Sequence, residues 1–153
     1  MRAVVLDPAD RVLLVRFEFP AVTLWATPGG GQEPGEDDEA TLRRELDEEL
    51  GFTLAEIGPH VWTRVHVIPF IDGSWDGQRD HVYLVRTAEF VPQPSLTWEQ
   101  MRAERVHELR WWTPEELHAA AADDVVFAPR ALPDLVSTLV TDGPPPTPFT
   151  VGV

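Results

Sequence analysis

Eight of the fourteen residues from Glu36 to Glu49 are carboxylates, accompanied by two arginines, Arg43 and Arg44. Like charges at helical spacing repel one another. On a helical wheel Glu45, Glu48 and Glu49 stand at i, i+3 and i+4, so they share one face about a turn apart. Leu42, Leu46 and Leu50 form an apolar stripe beside that face. Glu49 falls nearest the stripe and is expected to be partly buried, whereas Asp47 faces solvent. Three acids converging at the edge of a core call for a positive charge between them. Hard divalent cations take oxygen ligands, and Mg²⁺ in particular is held by a few carboxylates together with substrate phosphates. The glycines before the helix can offer backbone carbonyls and let a ligand approach closely. Composition alone would make this face solvated surface; the spacing favours a metal site.

These side chains need elements to position them. The apolar periodicity predicts a helix from about Asp37 to Leu50, stopped by Gly51 where a left-handed residue is wanted. Arg2–Leu6 and Arg11–Phe17 read as strands of a hairpin joined by the turn Asp7–Asp10. A short strand is expected around Leu24–Ala26, then a loop through Thr27–Gly31. Val61–Phe70 and Arg79–Phe90 read as strands flanking Asp72–Gln78, a hairpin loop with two Asp-Gly pairs. Pro92–Arg105 reads as loop with a helical turn, and His107–Trp112 as a short strand. Thr113, Pro114 and Glu116 open a further helix with a capping box. Leu132, Leu135, Val136, Leu139 and Val140 mark the last helix. Strands, helix, strands, then helices suit a mixed sheet with helices on its faces.

With the positions laid out, the segment resembles the Nudix box, G-x5-E-x7-R-E-U-x-E-E-x-G-U, where U is bulky and apolar. The chain supplies Gly30, five residues, Glu36, seven residues, then Arg44-Glu45-Leu46-Asp47-Glu48-Glu49-Leu50-Gly51-Phe52, filling every fixed position. The N-terminal hairpin, Trp25–Gly31 and Arg110–Leu117 are similar to Nudix sequences in the same places. The resemblance implies an α/β fold, a mixed β-sheet sandwiched between α-helices. It also implies hydrolysis of a nucleoside diphosphate linked to another group, with Mg²⁺ or Mn²⁺. By motif position Glu45, Glu48 and Glu49 would be metal ligands, and Glu45 or Glu48 would also help activate the water. Gly29 or Gly30 would lend a carbonyl, and Arg44 would orient the carboxylates. Glu36 would assist at the helix start, structurally or through metal-bound water. The metals would neutralise the diphosphate and lower the pKa of the attacking water.

Outside the box, Glu108 is the candidate for a further catalytic carboxylate; Glu99 and Glu104 read rather as surface residues. Arg16 is a candidate phosphate contact and Trp25 a candidate stacking residue, each weighed against an ordinary ion-paired or core role. Gly30 and Gly31 are candidate points of substrate approach. Trp111 and Trp112 point to opposite faces, one of them core. Arg64 and His66 share a strand face that suits phosphate or solvent equally.

The 153 residues suggest one domain, residues 1–142, followed by a Pro-rich tail, 143–153, that could pack on a second subunit as a homodimer. A net charge of −14 argues against a nucleic-acid partner, and the absence of cysteine excludes thiolate chemistry. The N-terminal stretch reads as neither signal peptide nor membrane span, so a cytoplasmic protein acting on a small-molecule nucleotide is expected. The small size leans toward MutT-like nucleoside triphosphates. Two other functions compete: a non-catalytic nucleotide sensor, which would commonly lose box glutamates, and an isopentenyl diphosphate isomerase, which would need a cysteine.

Overall fold

The first hairpin is built around one buried carboxylate. In the computed structural model, which describes residues 1–69 and 75–153, Asp7 is 1% exposed and accepts from the Ala9 and Arg11 backbone N–H groups, both at 2.9 Å. The Arg11 Nε adds a bond at 2.7 Å. This turn joins strand β1, Arg2–Leu6, to β2, Val12–Phe19. Strand β3, Val22–Ala26, follows, and the glycine loop leads into helix α1, Asp38–Leu50. Asp37 caps α1 by accepting from the Ala40 N–H. Gly51 ends it at φ 63°, its N–H returning to the Asp47 carbonyl at 2.8 Å. A Cβ there would lie 1.9 Å from the Gln93 carbonyl oxygen, so the position requires glycine twice over.

The chain continues with β4, His60–Pro69, and β5, Trp75–Arg86. Then come α2, Trp98–Ala103, β6, Val106–Trp112, and α3, Pro114–Ala122. The last elements are β7, Phe127–Ala128, α4, Leu132–Asp142, and β8, Phe149–Val151. The capping box expected at α3 is present, with Pro114 in the first turn. Trp75–Gln78, expected in the loop, belong to β5, because they pair antiparallel with β4 as far as Pro69↔Trp75. Phe70 and the loop residues 72–74 lie outside the described residues. Beyond Arg86 the partner strand β1 has ended at Leu6, so β5 stops short of the expected Phe90.

Among the described residues the strands form one mixed sheet, β7-β3-β2-β1-β5-β4-β8, with β6 also paired to β2. Alternation sends successive side chains to opposite faces. Ala3, Val5 and Leu13 pack with Leu42, Leu46 and Leu50 of α1. Val4, Leu6, Val12 and Leu14 pack with Leu117 of α3 and Leu132, Val136 and Leu139 of α4. The result is the expected α/β/α sandwich. The C-terminal segment is not free: β8 pairs in parallel with Trp62–Arg64 of its own sheet. Among the described residues no helix is long and apolar enough to cross a membrane.

One consequence for β2 matters to the site. Val12–Phe17 use one edge to pair with β6. The other edge is divided: Val12 and Leu13 pair with β1, while Val15–Phe19 pair with β3. The sheet therefore forks beyond Leu13, with β3 on one branch and β1, β5 and β4 on the other.

Although burial opposes it, the Arg11 and Ala9 donors hold the Asp7 carboxyl below its ordinary value of 3.8. A depressed carboxylate stabilises the fold above its unfolded-state pKa and loses that contribution as pH falls through its folded-state value. We expect Asp7→Asn to cost about 1–3 kcal/mol at neutral pH. The gap between variant and wild type should close below pH 3.8 in urea denaturation measured from pH 7 to acid.

Candidate active site

The acidic face of α1 meets the glycine loop across a cavity of about 410 Å³. Leu46 and Leu50 are fully buried and fix the helix rotation, which carries Glu45 and Glu49 inward to 7% and 3% exposure. Glu48 is half-buried and Asp47 exposed, as the wheel requires. The Glu49 Oε2 accepts the Gly29 N–H at 2.7 Å. Desolvation pushes the Glu49 carboxyl up to about 8, against the Gly29 donor and the charge of Arg2. Burial likewise raises Glu45, and the pull of Arg44 does not overcome it.

Arg44 supplies the positive charge that the acids demanded. Its Nε and Nη2 reach the two oxygens of Glu36 at 2.8 and 3.0 Å. Its Nη1 lies between Glu45 Oε1 at 2.8 Å and Glu48 Oε2 at 3.2 Å, and Nη2 also donates to the Gly31 carbonyl at 2.9 Å. This guanidinium, with the Glu33 N–H and the Thr41 hydroxyl, pulls the Glu36 carboxyl down to about 2. Arg44 is raised in turn, chiefly by Glu36.

The glycines play different parts. Gly29 contributes its N–H, which donates to Glu49. The Gly30 carbonyl accepts from the Met1 nitrogen at 2.5 Å, and a Cβ on Gly30 would lie 2.5 Å from Glu45 Oε1. Gly30 is therefore the cradle in which the Glu45 carboxylate rests. Gly31 turns its carbonyl to Arg44 and leaves open space where a side chain would stand.

The structure brings Gly29, Gly30, Gly31, Arg44, Glu45, Glu48 and Glu49 together around the cavity and sets four other candidates apart from it. Glu36 accepts from Arg44, from the Thr41 hydroxyl at the helix start and from the Glu33 N–H of the loop. Trp25 is 7% exposed in the core, edge-on to Trp112 at 5.0 Å. Arg16 follows Trp25 to that face, since the two are register partners. Arg16 pairs with Glu18 at 2.9 Å and Glu108 at 3.0 Å, and Glu108 is its register partner on β6. Alternation thus turns Arg16, Trp25 and Glu108 away from the cavity, while Phe17 lines it.

Glu104, which the sequence reads as a surface residue, is exposed and also lines the cavity. It caps the C-terminus of α2 and lines the cavity with the helix glutamates, raising the pKa values of Glu45 and Glu49. Its signal was its place just before β6: Val106 pairs with Phe17, so the chain enters the strand at the cavity's edge.

The oxygen-only donor set suits a hard divalent cation. Among the described residues the carboxylates are not gathered about a single point, because Arg44 stands between two of them. The buried acids Glu45 and Glu49 nonetheless have elevated pKa values that a divalent charge would relieve. The residues present fit such an ion.

Comparison with known proteins follows the same direction. The NUDIX domain family model matches residues 1–135. Nudix hydrolase 25 of Arabidopsis thaliana is 30% identical over 126 residues, covering 75% of this chain and 72% of that protein. The nucleoside triphosphatase NudI of Escherichia coli is 38% identical over 96 residues, and the match spans 61% of this chain and 64% of NudI, under two thirds of its length. A NUDIX hydrolase structure from Nitrosomonas europaea superposes with a TM-score of 0.62 at 19% identity, covering 94% of this chain and 88% of that one, a likeness of fold.

Lysine cannot reproduce a planar fork that serves three carboxylates and a carbonyl. We expect Arg44→Lys to fold, with a loss of about 1–2 kcal/mol and a fall of a few degrees in the thermal midpoint. Calorimetry at neutral pH checks this, and an unchanged midpoint would show the fork to be dispensable for stability.

Proposed function

The chain belongs to the NUDIX domain family, and from that premise we propose that it hydrolyses a diphosphate bond in a small nucleotide derivative, using Mg²⁺ or Mn²⁺. The observation that carries this reading is the cavity where Glu45, Glu48, Glu49 and Glu104 meet the glycine loop. The similarity to a nucleoside triphosphatase supports a nucleoside triphosphate as the substrate class.

Glu45, Glu48 and Glu49 would hold the cation, with Glu104 facing them across the cavity. When bound, it supplies charge neutralisation for the diphosphate and a lowered pKa for the attacking water. The chain's own residues do the positioning. Arg44 fixes Glu45 and Glu48 from one side, and Gly30 leaves room for the Glu45 carboxylate. Gly29 holds Glu49 in place. Glu48 is the most accessible of the helix trio and has one long bond to Arg44, so it is the group free to take a proton from water. Attack on one phosphorus forms the new P–O bond as the bridging P–O bond breaks. The products are two phosphorylated fragments.

Glu48→Gln should retain the fold, since the side chain is half-buried and the amide is isosteric. Its kcat/KM should fall about 10³-fold or more, on the scale of losing an essential acid-base group. Chelation with EDTA should abolish wild-type turnover, and Mg²⁺ or Mn²⁺ should restore it. Wild-type rates from Glu48→Gln on a substrate that the wild type cleaves would end the assignment.

A further inference from the structure

Strands β4 and β5 carry a cluster of titratable groups that does not line the acidic cavity. His60 faces Tyr83 across the pair, and Thr63 faces His81. Asp38, in the first turn of α1, meets them from the helix. Its Oδ2 accepts from the Tyr83 hydroxyl at 2.5 Å and from His81 Nδ1 at 2.9 Å. The His60 ring centre lies 5.0 Å from that of His81 and 5.1 Å from that of Tyr83. All of these side chains are half-buried.

The hydrogen bonds decide which ring nitrogens carry protons. His60 Nε2 lies 3.0 Å from the Trp62 carbonyl, with the Thr63 hydroxyl at 3.1 Å. A carbonyl only accepts, so Nε2 donates and Nδ1 of the neutral ring keeps its lone pair. His81 donates from Nδ1 to Asp38, which leaves the lone pair on Nε2. Among the described residues His60 Nδ1 and His81 Nε2 have no hydrogen-bond or ion-pair partner. Two imidazoles bound to one tetrahedral ion at about 2.0–2.1 Å have their ring centres about 5 Å apart, the separation that His60 and His81 already have. A carboxylate behind a histidine, accepting its other N–H, is the usual outer-shell support of a ligating imidazole. Asp38 stands in that position behind His81.

We propose that His60 and His81 form a second cation site, for a transition-metal ion of the Zn²⁺ class, with His60 Nδ1 and His81 Nε2 as ligands. Asp38 is a positioning residue that fixes the tautomer and orientation of His81. Among the described residues no third histidine or carboxylate converges with the pair, so solvent completes the coordination. Imidazole ligands suit Zn²⁺ and Cu²⁺, whereas Mg²⁺ takes oxygen and does not compete for them. The site is thus distinct in chemistry from the oxygen-lined acidic cavity. Because Asp38 belongs to α1, an ion held by the strands would fasten the start of the acidic helix to β4 and β5. The proposal stands independently of the hydrolase reading.

The test titrates Zn²⁺ into wild type, His60→Gln, His81→Gln and Asp38→Asn in excess Mg²⁺, with binding read by calorimetry and folding by circular dichroism. His118→Gln, at an exposed histidine on α3, is the control. One Zn²⁺ binding event should disappear in both variants at positions 60 and 81. The same event should weaken about 10- to 100-fold in Asp38→Asn, the cost of removing an outer-shell partner. The control should bind as the wild type does. Cu²⁺ on the wild type should show nitrogen coupling in its electron paramagnetic resonance spectrum, and each substitution at 60 or 81 should diminish it. Unchanged Zn²⁺ binding in both of those variants, or a Cu²⁺ spectrum with oxygen ligands alone, would overturn the site and leave the cluster as ring packing. Where a histidine substitution prevents folding, Asp38→Asn decides: weakened Zn²⁺ affinity upholds the site and full affinity overturns it.

Discussion

The Arg44 guanidinium is the interaction on which the site depends. It lies on the acidic helix itself, one residue before Glu45 and four before Glu48, and it reaches both together with Glu36 and the Gly31 carbonyl. Without it, three carboxylates would be pressed together at a core edge without the guanidinium they share. Its planarity matters as much as its charge, since each nitrogen addresses a different partner. By holding Glu36 it also fastens the helix start to the glycine loop, because Glu36 accepts from the Glu33 N–H and the Thr41 hydroxyl. One side chain thus sets the spacing of the acids and the distance from loop to helix.

The second constraint is the divided edge of β2. A strand has two edges, and β2 spends one on β6 and splits the other between β1 and β3. The backbone groups of Val15–Phe19 are satisfied by β3, so β1 cannot follow them. The space that opens is roofed by neither branch and becomes a cleft. Its floor at Arg2 belongs to the first residue of β1, and Arg2 bridges to Gly29 of the loop. Sheet geometry therefore puts the loop, the acidic helix and Phe17 around one opening.

This division also explains what was legible in the sequence. Helix α1, its cap at Asp37, its stop at Gly51 and the inward turn of Glu45 and Glu49 follow from local periodicity, and the structure contains them all. The capping box of α3 is equally local. Residues whose roles depend on register were less legible. Trp25 is next to the glycine loop in sequence, yet parity turns it into the core and leaves Ala26 beside the cleft. Glu108 and Arg16 are register partners, so a single parity choice on β2 removed both from the site. Glu104 and Gln78 reach the cleft from a helix end and a distant hairpin, which only the assembled sheet brings near. No periodicity in their own segments marks them.

The carboxylate at Glu49 shows how closely fold and site are joined. Among the described residues its hydrogen bond comes from the Gly29 N–H, and Gly29 has φ 123° with the Met1 carbonyl 2.2 Å from where a Cβ would stand. The loop can present that N–H only because glycine allows the backbone to pass so near β1. Burying the acid opposes folding, as its raised pKa records. The neighbouring leucines Leu42, Leu46 and Leu50 are fully buried and offset it, each by roughly 1.5–3 kcal/mol. The same helix face thus carries the packing that stabilises it and the acids that strain it. The stripe holds Glu49 at a depth where water cannot fully solvate it. A divalent charge in the cavity would meet there a carboxylate whose desolvation cost folding has already met.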